Sequence, residues 1–112
     1  MRRASEVHSS IWSSSVVLYD DGTYSAIWGC YDGGKVRTLG LRWDGDSADE
    51  MDVGFPKTYK HPTWFVIPDE FTGPILYSLL SRALADESDY CDVILEACKE
   101  FAKQEMKRGG NQ

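Results

Sequence analysis

Pro62-Thr63-Trp64-Phe65-Val66-Ile67-Pro68-Asp69-Glu70-Phe71 is the point at which the chain changes period. Upstream, apolar residues recur with the two-residue spacing of strands; downstream, with the 3.6-residue spacing of helices. Trp64 to Ile67 is a short apolar run between Pro62 and Pro68, and those prolines keep a helix from beginning earlier. Asp69 and Glu70 then place negative charge where a helix N-terminus accepts it. The stretch reads as a last strand, over 63–67, passing directly into a first helix.

Working back from it, the spacing predicts strands over Trp12 to Tyr19, Thr23 to Tyr31 and Lys35 to Trp43, with turns at Asp20-Asp21-Gly22 and Asp32-Gly33-Gly34. Two hairpins in succession make an antiparallel meander. A three-residue first loop, with Gly22 left-handed, pairs Tyr19 with Thr23; a two-residue second loop pairs Asp32 with Lys35. One face then carries Trp12, Val16, Leu18, Tyr24, Ala26, Trp28, Cys30, Leu39, Leu41 and Trp43, which is a core face, and burial selects this register. The other carries Val17, Tyr19, Ile27, Tyr31, Val36 and Arg42, more apolar than a wet surface requires, over a shallow floor left by Gly29 and Gly40. Three occupants suit it: the N-terminal arm folding back with Val7 and Ile11, a second copy of the chain, or a foreign ligand or partner.

Working forward, Phe71, Ile75, Leu76, Leu79, Leu80 and Ala83 form an amphipathic stripe. Gly73-Pro74 implies either a single turn before a helix that starts at Pro74 or a kink within one helix. Asp86 is the expected cap of a second helix, with Tyr90, Ile94, Ala97, Cys98 and Phe101 as its buried stripe and Gly109-Gly110 as its stop. The order ββββαα predicts an α+β two-layer sandwich in one domain, 1–112. Residues 1–10 read as a loose N-terminal arm and 44–61 as a long acidic, irregular connection.

Composition narrows the function. At 42% hydrophobic, with four Trp and six Tyr, the chain can build a core, so wholesale disorder is not expected. A formal charge of −6 argues against a general binder of nucleic acid or of anionic membrane. Cys30, Cys91 and Cys98 show no C-x-x-C spacing, and no stretch resembles a signal peptide or a span of ~20 apolar residues, which predicts a reducing, cytoplasmic setting. The cysteines read as packing residues, since neither His8 nor His61 is placed beside one as a base. Zinc lacks a ligand set. Asp44-x-Asp46 opens like a calcium loop, but Ala48 and Asp49 stand where a ligand and a glycine belong. With no phosphate-binding glycine loop either, the chain reads as non-enzymatic, without metal or cofactor. The aromatics flanking the long connection, Trp43, Tyr59, His61 and Trp64, mark the expected place of a small-ligand pocket at its base.

Two resemblances bear on this. Gly40-Leu41-Arg42-Trp43, Gly54-Phe55-Pro56 and the stretch from Pro62 to Glu70 together resemble a type of small bacterial protein carried on mobile elements such as integron gene cassettes. That likeness covers about half of the chain and implies an accessory protein of a mobile element or phage, without specifying an activity. The order of strands followed by helix, with Lys35, Arg37, Arg42 and Trp43 on the third strand, is similar to the transcriptional coactivator and Whirly group of single-stranded nucleic-acid binders. It implies contacts from Tyr19, Tyr31, Arg42, Lys35, Lys57 and Lys60. The resulting expectation is a small binding or interaction protein acting through its open sheet face as a homodimer. The alternatives are a single-stranded nucleic-acid binder, or a small-molecule binder or enzyme using the pocket at the connection's base.

Overall fold

The two expected turns do cut the first half of the chain into three long strands, β1 (Trp12–Asp20), β2 (Tyr24–Tyr31) and β3 (Thr38–Trp43). In the computed structural model, which describes residues 1–110, the connection that follows contains a small hairpin of β4 (Lys57–Thr58) and β5 (His61–Pro62). The strand at the period change shortens to β6 (Phe65–Val66), which joins the sheet beside β3 in the order β1-β2-β3-β6, antiparallel throughout. Two packed helices, α1 (Asp69–Ala85) and α2 (Cys91–Gly110), complete an α+β chain. It divides into two units, Met1–Pro68 and Asp69–Gln112.

The β2–β3 register is the one that the Gly33-Gly34 turn implies. Tyr24 faces Trp43, Ala26 faces Leu41 and Trp28 faces Leu39, so Trp28 and Leu41 lie on the same side. The β1–β2 register departs from expectation. Gly22 is left-handed, with φ +88°, but pairing starts at Asp20 and Ser25, one step further out. The Asp20 and Asp21 carboxylates accept from the amides of Gly22, Thr23 and Tyr24 and so hold the longer loop. Irregularities between Ser13 and Val16 and between Val17 and Tyr19 then shift the ladder twice. Trp12 is thereby carried opposite Tyr31, onto the face of Ile27, and Tyr19 opposite Ala26, onto the face of Trp28. Both assignments correct the two-residue alternation, which an inserted residue inverts.

Leu18, Ala26, Trp28 and Leu39 are fully buried on the Trp28 side, and Ala4, Trp12, Ile27 and Trp64 make a second buried cluster on the other. In the helical unit, α1 runs through Pro74 as one helix and buries Thr72, Leu76, Leu79 and Ala83, while Phe71, expected in that stripe, is exposed. Asp86 belongs to the end of α1, its amide bonded to the Arg82 carbonyl at 3.0 Å, and does not cap α2. The hydroxyl of Ser88 accepts from the Tyr90 amide just ahead of α2 instead. Among the described residues of α2, Ile94 and Ala97 are buried. Gly73 lies against Phe101, and Arg108 Nη2 pairs with Asp69 Oδ2 at 2.5 Å, tying the start of α1 to the end of α2.

Candidate functional site

The arm from Met1 to Ser10 is not loose. Arg3 Nε pairs with Asp20 Oδ1 at 2.8 Å, the Ala4 amide donates to Asp20 Oδ2, and the Arg2 amide donates to the Asp44 carbonyl at 2.7 Å. A short 3₁₀ turn, Ala4–Glu6, then lays Ala4 and Val7 against Trp12, Val17, Ile27 and Trp64. The six residues expected to form an open interaction face are accordingly dispersed. Ile27, at 3% exposed, and Arg42 are buried inside the chain, Val17 is half-buried under the arm, and Tyr19 lies on the opposite face. Tyr31 and Val36 alone among the six are exposed. Ile11, expected to help cover the face, points to solvent.

Beside this cluster lies a buried polar group. Ser25 Oγ donates to Asp44 Oδ1 at 2.6 Å, and Arg42 Nη2 donates to the Val53 carbonyl while its guanidinium lies 5.9 Å from the centre of the Trp64 ring. Burial pushes the Asp44 carboxyl above its ordinary range, the Ser25 hydroxyl opposing, and lowers the Arg42 guanidinium, with Asp44 opposing. The acidic connection starts from this pair and closes on itself. Asp52 accepts from the amides of Asp46 at 2.8 Å and Gly54 at 3.0 Å, and those bonds hold its carboxyl below the ordinary range. Asp46 and Asp49 likewise accept from Ala48 and Met51. These carboxylates therefore shape the loop. Among the described residues no group of three or more His, Cys, Asp or Glu is disposed to hold a metal ion.

At the foot of the connection the picture changes. Trp43 and Phe55 pair backbone to backbone, at 2.7 and 3.0 Å, so the connection leaves the sheet and returns to it at the same place. There a groove of about 400 Å3 is lined by Tyr24, Leu41, Trp43, Phe65 and Ile67, with Arg42 beneath, and almost every atom it presents is apolar. Trp43 is 58% exposed and Phe65 43%. Tyr24 meets Trp43 edge to face at 6.4 Å, and Phe55 meets Phe65 at 5.2 Å, so the rings brace one another while leaving surface open. Gly54 makes the return possible: its φ is +79°, and a Cβ there would overlap the Trp43 carbonyl and lie 2.7 Å from Arg42 Nη2.

Of the four residues expected to line a pocket here, Trp43 does so. Tyr59, at 89% exposed, and His61 stand on the β4–β5 hairpin, and Trp64 is buried on the opposite face. The four are not brought together, because Trp64, just ahead of β6, is buried on one side of the sheet and it is Phe65 that reaches the groove on the other. Of the residues suggested for nucleic-acid contact, Tyr19 and Arg42 are buried, while Tyr31, Lys35, Lys57 and Lys60 are exposed. Among the described residues no helix is long and apolar enough to cross a membrane. Compared with known proteins, the chain matches no family model, no curated protein and no solved structure.

Proposed function

We propose that this protein is a small, non-enzymatic binding module that takes an uncharged aromatic or aliphatic group in the groove of Tyr24, Leu41, Trp43, Phe65 and Ile67. The observation that carries the reading is the groove's composition: some 400 Å3 lined by apolar side chains, with an exposed tryptophan as one wall. That size falls within the range of small-ligand sites. Solvated rings in such a setting are a standing source of binding free energy, since covering them removes apolar area from water. The lining lacks the paired acid and base that a reaction would need.

A second copy of the chain is the rival occupant, because Phe55, 53% exposed and in edge contact with Phe65, extends the exposed apolar surface beyond the groove. One titration and one sizing experiment separate the two. Trp43 is the one tryptophan of the four that is exposed, so its red-shifted emission reports on the groove. Adding para-tert-butylphenol should quench that component saturably, at roughly micromolar to millimolar concentration for so few atoms, and Phe65→Ser should abolish the effect. Light scattering should give a monomer at all concentrations used. A concentration-dependent dimer that excludes the probe would transfer the groove to self-association. Quenching that never saturates, or that Phe65→Ser leaves unchanged, removes the small-ligand reading.

A further inference from the structure

We infer that the protein has a second binding site, on the opposite face of the sheet from the aromatic groove, and that it takes a neutral, polyhydroxylated ring such as a sugar or cyclitol. The inference does not depend on the groove. Between the N-terminal arm and β1 lies a concavity of about 560 Å3, larger than the groove and within the small-ligand range. Its apolar part is formed by the half-buried Val7 and Val17, with the nearly closed Ile27 and Trp64 only edging its floor. Its polar part comes from serine hydroxyls at positions 5, 9, 10, 13, 14 and 15, with His8 among them. An apolar patch facing a rim of hydroxyls fits a ring that has a C–H face and an O–H edge, because each hydroxyl can donate or accept as the ligand requires.

The charge class follows from what is missing in the lining, where there is no lysine, arginine, aspartate or glutamate. A charged ligand would give up its water without an opposite charge to replace it, whereas a neutral one gives up only hydrogen bonds that the serines can restore. A second observation points the same way. Trp12 also lines the concavity, is 8% exposed, and its indole Nε1–H has no hydrogen-bond partner. A buried donor without a partner is an uncommon feature of a folded chain; this one is closed to solvent in the unliganded chain, so a ligand hydroxyl would satisfy it on a small shift of the arm that covers it.

The serines are held by the fold. The irregularity between Ser13 and Val16 sits opposite Gly29, and a Cβ at Gly29 would overlap Ser15 Oγ and approach Ser15 Cα to 3.0 Å. Ser14 adopts φ +50°, and Ser9 Oγ is 3.2 Å from Thr63 Oγ1, which anchors the arm's far end across the concavity. The two anchors, Ser9 on Thr63 and Arg3 on Asp20, leave the arm between them as a strap over the site.

Ligand-observed NMR tests the proposal on the full chain, using methyl glycosides of glucose, galactose and mannose together with myo-inositol. Cyclohexanol serves as the apolar control and glucuronate as the charged one. At least one neutral polyol should show saturable binding that beats both controls and shifts the Trp12 indole N–H resonance. Ser10→Ala and Ser13→Ala, both at exposed positions, should each weaken it about three- to tenfold, the worth of one hydrogen bond, with melting temperatures unchanged. Trp43→Ala should leave it intact, so loss of the groove and loss of this site are read separately. If none of the four polyols binds, or if binding is indifferent to both serine variants and leaves the Trp12 resonance unmoved, the site is not what we infer. Glucuronate binding tighter than the neutral glycosides would overturn the charge assignment.

Discussion

On one face of the sheet, Ile27 and Trp64 are 3% and 6% exposed beneath the chain's own Ala4 and Val7; at one end of the other face, Trp43 and Phe65 remain 58% and 43% exposed. Both places are built from the same materials, aromatic and β-branched residues on pleated strands. The difference lies in what comes back to cover them. The arm is fastened by ions and backbone amides at Asp20 and Asp44, so its apolar residues are held where they seal Ile27. The acidic connection also returns to the sheet, at Phe55, but its carboxylates are spent on its own amides and it lays an aromatic edge beside the groove instead of a lid over it. An exposed apolar surface on a small domain is informative only when such a means of covering it exists elsewhere in the same molecule.

Substitution should expose that contrast most strongly at the two tryptophans on either side of the comparison. Trp64→Ala empties the closed face and should cost about 3–5 kcal/mol in chemical denaturation; a cost below about 1 kcal/mol would mean that the arm does not seal this face. Gly54→Ala comes next. It forces a Cβ onto the Trp43 carbonyl at a positive φ and should cost about 1–3 kcal/mol, together with loss of the groove's shape. Unchanged melting and unchanged probe binding in this variant would show that the connection's return does not form the groove.

Acid titration separates two carboxylates of the same connection. Asp52, held low by the Asp46 and Gly54 amides, contributes stability that is present above the ordinary carboxylate range and is lost as pH falls through its lowered folded value. Asp44, pushed up by burial, acts with the opposite sign: its contribution is full below the ordinary value and is lost as pH rises through the raised one. Melts between about pH 3 and 6 should therefore lose less stability on acidification in Asp52→Asn than in the wild type, and more in Asp44→Asn. Parallel profiles for all three proteins would contradict both assignments. The smallest stability effect belongs to Trp43→Ala. At so exposed a position it should stay within about 1 kcal/mol while removing probe binding, and a large destabilisation would reclassify Trp43 as a core residue.

How much of this could be read beforehand varies along the chain. The β2–β3 register follows from Gly33-Gly34, because the turn sets the loop length and only one register buries Trp28 beside Leu39 and Leu41. The passage from strand to helix at Pro68-Asp69 is equally plain, since charge and proline mark it locally. The side taken by Trp12 and Tyr19 was not legible: two irregularities in β1 each add a residue, and alternation carries no sign of them apart from the run of serines opposite Gly29. The groove was half legible. Trp43 stood out as an aromatic beside the long connection, but Tyr24 and Leu41 read as ordinary core-face residues, and periodicity says which way a side chain points without saying whether anything covers it. That Phe65 and not Trp64 shares a side with Leu41 and Trp43 was not legible either, because the parity of adjacent aromatics is set only by the partner strand.

The most direct test of the account is an amide chemical-shift map recorded as para-tert-butylphenol is added to the full chain. Perturbations should gather at Tyr24, Leu41, Trp43, Phe65 and Ile67, with Ile27 and Trp64 silent. Shifts centred on Ile27 and Trp64, or spread evenly over both faces, would contradict it.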